Sequence, residues 1–301
     1  FNAFREKGMA IGAYFSKADW HTPYYWTPGM ERSRPTWRGP SYRPADYPWL
    51  WEKFISFTHE QIMELMTHYG RIDILWLDGG WVCQRGGQDI RLGDVVERAR
   101  KLQPWLIVAD RTVGGPYENY VTPEQTIPDE PLNLPWESCI TMGTSFSFAY
   151  EDKYKSLREL VRLLAEIVAK GGNLALNVGP QPDGRLPAGA IRCMKELGAW
   201  LKLYGEAIYG TRTCAPYLVN NSAFIRKGDK VYCIYLYPGD DSPVHDVVVL
   251  PYREKVERVE LVGGQQELAF VQTEGGLEVN LPESETQSPT SAPIAHVFRL
   301  L

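Results

Sequence analysis

Apolar and polar positions along the first two-thirds of the chain follow two alternating periods. Near-continuous apolar runs occupy residues 8–16 (GMAIGAYFS), 72–78 (IDILWLD), 106–110 (LIVAD), 137–142 (ESCITM) and 173–178 (NLALNV), each short enough to be a buried strand. Between the first two, Trp51, Phe54, Ile55, Thr58, Ile62, Leu65, Met66 and Tyr69 recur at helical spacing, and Gly70 ends the pattern. Further helices are predicted near residues 89–102, along the stripe Leu157, Leu160, Val161, Leu164, Ala165 and Val168, and over residues 187–204. Unbroken apolar strands alternating with helices predict a parallel sheet covered by helices. The segments after the strands are longer than those after the helices, which favours a β/α barrel with its chemistry on the strand-following loops. A doubly wound sheet shares the pattern, but no GxGxxG or P-loop follows any strand. The expected fold class is therefore α/β, a partial TIM-like (β/α) barrel over residues 1–214. About five strand–helix units are legible, where a closed barrel of this kind has eight.

From residue 215 to 301 the period shortens. Runs at 231–237, 244–250, 256–262, 268–273, 277–281 and 295–300 are separated by Gly, Pro and Asp, as expected for short β-strands. Leu277, Val279 and Leu281 alternate with Glu278 and Asn280, the signature of a half-exposed antiparallel strand. This region is expected to be a C-terminal antiparallel β-sandwich domain. It has no Trp and is assigned a structural role.

Composition narrows the picture modestly. The 301 residues are 44% hydrophobic and 23% charged, with a formal net charge of −5. That balance gives no basic patch for a nucleic acid, and no apolar run approaches the roughly 20 residues that span a bilayer. Five cysteines, Cys83, Cys139, Cys193, Cys214 and Cys233, are widely spaced with no CxxC pair, so neither a zinc site nor a disulfide framework is indicated. The compartment stays open. Residues 1–5 carry no signal-peptide pattern and no initiating Met. Aromatics change the picture more. Trp20, Trp26, Trp37, Trp49 and Trp51 crowd into residues 17–51 with Tyr24, Tyr25, Tyr42 and Tyr47. Such rings suit the C–H faces of sugars, although large aromatics usually serve burial.

Asp78 is the first candidate for chemistry. The run ILWLD delivers a carboxylate to a strand end before Gly79–Gly80, where an acid is expensive to desolvate unless it is used or paired. A strand-end Asp before Gly can equally be a turn residue. Glycoside hydrolysis requires two carboxyl groups, about 5 Å apart in retaining enzymes. Asp110, Glu118, Glu124, Asp129, Glu130 and Glu137 are the acids available as the second, and residue type and position do not choose among them. Arg111 could hold a carboxylate or a sugar hydroxyl through its forked donors. His59, His68, His245 and His296 are read as structural, and so are Asn173, Asn177 and Asp183.

Several segments together resemble the family 29 glycoside hydrolases, the retaining α-L-fucosidases. They are GAYFSKADWH (12–21), LWLDG (75–79), VTPEQ (121–125), WESCITMGTSFSF (136–148), KYKS (153–156), GGNLALNVGPQPDGRLP (171–187) and WLKLYGEAIYGTR (200–212). The similarity runs in order from about residue 8 to 215. It implies Asp78 as nucleophile and Glu124 as general acid/base. Glu124 is preferred to Glu137 because Glu137 falls within a predicted strand rather than on a loop. The resemblance further implies that Tyr14, Trp20, His21, Arg111 and Glu137 contact the sugar or support the nucleophile. It implies a fucosylated glycan or glycoside as substrate, and no metal or organic cofactor.

The chain departs from that family at its start, where two strand–helix units bearing fucose-contacting histidines have no counterpart. Either the chain is a fragment, or it is a shortened barrel whose open flank is covered by a second copy. An uncovered parallel edge invites pairing, so a homo-oligomer is expected in the second case. Two other functions stay open: a sugar-binding or assembly protein without turnover, and a retaining glycosidase for a related sugar such as a galactoside.

Overall fold

The computed structural model describes residues 1–30, 38–264, 266–286 and 292–301; Trp37 of the aromatic stretch lies outside them. The chain divides into two compact units, Phe1–Thr122 and Pro123–Leu301. Each of the five apolar runs forms a parallel strand.

In the first unit a one-turn helix α1 (Asn2–Arg5) precedes β1 (Gly12–Ser16), α2 (Pro48–His68), β2 (Ile74–Asp78), α3 (Leu92–Leu102) and β3 (Ile107–Ala109). The sheet order is β1-β2-β3, with Tyr14 opposite Trp76, Ser16 opposite Asp78 and Ile74 opposite Ile107. Alternation sorts the side chains. Ala13, Leu75, Leu77 and Val108 pack on Ile62 and Met66 of α2 and Val95, Val96 and Ala99 of α3. Tyr14, Trp76 and Asp78 belong to the opposite face. Pro48 opens α2, where its missing N–H costs nothing. Gly70 follows α2 at φ +73°, and the Arg5 guanidinium caps the helix end by donating to the carbonyls of Tyr69 and Arg71. The first strand is shorter than the apolar run, because Gly8 at φ +73° closes a turn ahead of it.

In the second unit β4 (Glu137–Thr141) pairs in parallel with β5 (Asn173–Asn177), and α4 (Leu157–Ala169) and α5 (Ala188–Tyr204) follow the two strands. A capping box starts α4: Ser156 accepts from the Glu159 N–H, and the Glu159 carboxylate accepts from the Ser156 N–H. Next come β6 (Arg212–Val219), β7 (Ser222–Lys227), β8 (Lys230–Leu236), β9 (Val247–Leu250), β10 (Val259–Leu261), β11 (Gln266–Leu268), β12 (Phe270–Thr273), β13 (Gly276–Asn280), the short α6 (Glu283–Thr286) and β14 (Ala295–Leu300). They form two antiparallel sheets, ordered β11-β10-β14-β8-β7-β6 and β12-β13-β9. The architecture is thus a mixed α/β fold with an antiparallel β region.

Three features of that region differ from the sequence reading. The six-stranded sheet is buried on both faces. Ala223, Ile225, Tyr232, Ile234 and Val297 pack on Val161, Leu164, Leu197 and Trp200 of α4 and α5. Their alternating neighbours Phe224, Val231, Cys233 and Phe298 pack on Val248, Leu250, Leu277 and Val279 of the smaller sheet. The β6–β7 hairpin, absent from the sequence expectation, supplies part of this middle layer. The run 268–273 is two strands in different sheets, broken at Ala269, because the chain crosses there from one layer to the other.

Candidate active site

Asp78 ends β2, and three donors converge on its carboxylate. The Tyr14 hydroxyl donates to Oδ2 at 2.6 Å. The Gly79 N–H donates to Oδ1 at 2.8 Å, a turn made possible by the glycine's φ of +82°. Arg111 Nε lies 3.0 Å from the same Oδ1. The carboxylate therefore has a fixed orientation while its side chain keeps 34% of its exposure. Trp76 backs the cluster: the Tyr14 ring stacks on it at 5.6 Å, and the Arg111 guanidinium sits 5.1 Å from its centroid. The Tyr14 ring is more than half exposed, yet its hydroxyl end is desolvated against Asp78. That burial, then the hydrogen bond and charge of Asp78, push its pKa well above the ordinary phenol value against the opposing charge of Arg111. Tyr14 therefore remains a hydrogen-bond donor at neutral pH.

Arg111 reaches Asp78 from an unusual stretch of backbone. Arg111 and Thr112 have φ of +52° and +60°, a left-handed conformation costing about 1–2 kcal/mol per non-glycine residue. The loop compensates locally. The Glu118 carboxylate accepts the N–H groups of Thr112 and Gly114, both at 2.6 Å. Arg111 Nη1 donates to the Thr122 carbonyl at 3.1 Å, and the Thr122 N–H donates to Thr112 Oγ1 at 3.0 Å. Directly before this turn, Asp110 pairs with Lys17 at 2.5 Å, the two side chains being 7% and 1% exposed. Burial pushes the Asp110 carboxyl up from its ordinary value against the pull of the Lys17 ammonium.

The other expected contact residues lie nearby in the chain but touch different groups. Trp20, 48% exposed, stacks on Trp81 at 6.2 Å. His21 is exposed, and its N–H, like that of Thr22, donates to the Asp19 carboxylate in a tight turn. Tyr25, Tyr42 and Trp51 are buried with Phe54, so this part of the aromatic stretch serves packing. His59 bonds the Ile90 carbonyl at 2.7 Å.

Glu124 and Glu137 belong to the second unit. Glu124 is exposed, but its backbone is no free loop: it forms a parallel bridge with Cys139. The Gln125 N–H donates to the Cys139 carbonyl at 2.9 Å, and the Cys139 N–H to the Pro123 carbonyl at 3.1 Å. Residues 123–125 thus run along β4 as an added short strand. Glu137 is the first residue of β4, half-buried and opposite Asn173. Asp129 and Glu130 are exposed. Asp183 pairs with Arg185 within its own turn.

Sequence reasoning missed Trp76 as the platform of the cluster, Lys17 as the partner of Asp110, and Glu118 as a backbone clasp. The period-2 pattern of ILWLD could have found Trp76, which shares a face with Asp78. Nothing local marks Lys17, whose partner is 93 residues away. Among the described residues no cluster of His, Cys, Asp and Glu could hold a metal, and no helix is long and apolar enough to cross a membrane.

Comparison with known proteins shows the family. The model of the family described as Alpha-L-fucosidase matches residues 1–206. The α-L-fucosidase of Dictyostelium discoideum is 25% identical over 98% of this chain. The chain spans 64% of that relative's length. Among solved structures, α-L-fucosidase isoenzyme 1 from Paenibacillus thiaminolyticus superposes with a TM-score of 0.77 at 26% identity, covering 99% of this chain and 73% of that one. The Thermotoga maritima α-fucosidase in complex with fucose gives 0.75 at 26% identity, covering 100% and 66%.

Proposed function

The chain belongs to the α-L-fucosidase family, and from that premise we propose that it is a retaining glycoside hydrolase removing terminal α-L-fucose. Asp78 acts as nucleophile and Glu124 as general acid/base. The observation that carries the proposal is the oriented carboxylate at the end of β2, held by Tyr14, Arg111 and the Gly79 N–H yet open to solvent. In the first step an Asp78 oxygen forms a bond to the anomeric carbon as the bond to the leaving oxygen breaks and Glu124 gives that oxygen a proton. In the second, Glu124 takes a proton from water, whose oxygen displaces Asp78 and releases fucose. The mechanism requires the two carboxyls about 5 Å apart. Tyr14, Trp20, His21, Arg111 and Glu137 are assigned to the sugar or to the support of Asp78. The fucose complex of the Thermotoga maritima relative supports the choice of sugar.

Residues 1–214 form the catalytic part in this proposal, a portion of a (β/α) barrel of about five units, and residues 215–301 its β-sandwich. Among the described residues β1 pairs only with β2, and β5 only with β4. Such open parallel edges are expected to be covered, and a homo-oligomer is the arrangement proposed to cover them. A well-behaved monomer of 34.2 kDa in light scattering would refute the oligomer. Turnover of an aryl α-L-fucoside, abolished by Asp78→Gly and restored by azide, tests the nucleophile. Loss without azide rescue removes Asp78 from that role. Faster turnover of an aryl galactoside would replace the substrate, and fucose binding without turnover would make the chain a sugar-binding protein.

A further inference from the structure

The Asp78 cluster occupies one face of the sheet, and an ion pair that the proposed chemistry does not use lies behind it. By the alternation along β1 and β3, Ala13, Phe15 and Lys17 fall on one side and Tyr14 and Ser16 on the other. Val108 and Asp110 likewise oppose Ala109 and Arg111. Lys17 and Asp110 are therefore on the helix-covered side, where both are buried and 2.5 Å apart. They directly follow the two outer strands, β1 and β3, with β2 between those strands. The Lys17 N–H also donates to the Asp78 carbonyl at 3.0 Å, which carries the β1–β2 ladder one residue past Ser16 and ties Lys17 to the residue that bears the carboxylate.

We propose that Lys17 and Asp110 are positioning residues for Asp78, acting through Arg111. This rests on the assignment of Asp78 as the nucleophile. A buried ion pair is a poor source of stability compared with apolar side chains of the same volume, but it fixes geometry. Here it ties the ends of β1 and β3 across β2, directly behind the carboxylate. The residues that grip Asp78 come from those same two outer segments: Tyr14 from β1, and Arg111 from the position after Asp110. Arg111 leaves the strand through two consecutive left-handed residues, a conformation that persists only when its surroundings enforce it. Glu118 holds the far side of that turn, and the Lys17–Asp110 pair holds the near side. With the near side released, the turn relaxes toward ordinary backbone angles and Arg111 swings off Asp78 Oδ1.

The test uses the whole chain in three forms: wild type, Asp110→Asn and Lys17→Met. The first readout is the Arg111 Nε–H resonance in [15N]arginine-labelled protein, assigned by its loss in Arg111→Lys. The second is turnover of an aryl α-L-fucoside. Both variants are expected to shift the Arg111 resonance and raise its exchange rate with water, and to lower kcat by about 10²-fold while KM stays within roughly twofold. The kcat loss is expected to vanish when Asp110→Asn is made on an Arg111→Lys background, since the two changes remove the same contact. An unmoved Arg111 resonance overturns the proposal, and so does a loss that adds in full on that background. If Lys17→Met does not fold, Asp110→Asn decides, because it keeps the side-chain shape. A wild-type chain without turnover sinks the hydrolase assignment alone, and the resonance still decides the positioning role.

Discussion

Gly172 follows α4 and leads into β5, and a side chain there has nowhere to go. A Cβ built on its backbone would lie 2.4 Å from Trp136 Cζ2 and 2.5 Å from Cε2 and Cη2. Carbon atoms in contact are normally about 3.5–4.0 Å apart, so the methyl of Gly172→Ala intrudes by roughly 1 Å on three ring atoms at once. The ring cannot easily retreat. Trp136 is 1% exposed, its Nε1 donates to the Lys170 carbonyl at 3.3 Å, and its own carbonyl accepts the Asn173 N–H at 3.0 Å. Overpacking of this kind costs about 1–3 kcal/mol. Stiffening of the unfolded chain returns about 0.4–1 kcal/mol. With three ring atoms struck at once the upper part of the overpacking range applies, about 2–3 kcal/mol, so the net loss of about 1–2.6 kcal/mol corresponds to a fall in Tm of roughly 2–10 °C at about 2–4 °C per kcal/mol. Thermal unfolding followed by circular dichroism measures it. The cause is isolated by Trp136→Phe, whose smaller ring removes the clashing Cζ2 and Cη2. Made on the Gly172→Ala background, it should destabilise by less than it does alone. An unchanged Tm for Gly172→Ala, or strictly additive effects of the two substitutions, would refute the reasoning.

Three further outcomes follow from local geometry. Tyr14→Phe removes a donor to Asp78; a hydrogen bond to a charged group is worth about 1.5–3 kcal/mol, and with Asp78 partly exposed the low end applies. Turnover of an aryl α-L-fucoside should then fall about tenfold, and undiminished kcat/KM would show the contact to be idle. Ser156→Ala breaks the capping box of α4 and should cost about 1 kcal/mol, read as a lower Tm; no change would mean that water replaces the cap. His296 is buried between the Tyr237 hydroxyl at 3.0 Å and Glu285 at 3.1 Å. Burial lowers its pKa against the pull of Glu285, so the folded state favours neutral imidazole and the unfolded state binds the proton more readily. Its stabilising contribution is complete above the ordinary histidine value of about 6.5 and is lost as pH falls below it. Between pH 7.5 and 5.5 the Tm should drop more steeply in the wild type than in His296→Gln, and parallel profiles would assign the acid sensitivity elsewhere.

Local pattern determined much of this protein. The five parallel strands and the helices between them follow from the period of apolar residues, because burial against a single layer imposes either a 3.6 or a 2.0 repeat on the chain. The position of Asp78 was legible for the same reason, since a strand that runs out at an acid before two glycines must present that acid at the sheet's end. The burial of both faces of the six-stranded sheet was not legible, because it depends on α4 and α5 arriving from earlier in the chain. The β6–β7 hairpin escaped notice because Arg212–Val219 contains a proline and no clean alternation. The break between β11 and β12 marks a change of partner, which no six-residue window records.

At the candidate site the same division holds. Sequence alone supplied the residue types, their order and the strand end on which Asp78 sits, because these follow from short-range sterics and from the cost of burying a carboxylate. Only the tertiary structure decided what surrounds that carboxylate. Tyr14 is 64 residues from Asp78, and Lys17 is 93 residues from Asp110. Contacts at such separations depend on the parallel register of β1, β2 and β3, and on a left-handed turn at Arg111 that no propensity of arginine or threonine favours. Register and strained backbone are set by the packing of the whole unit, which fixes the distances between side chains that the sequence can only name.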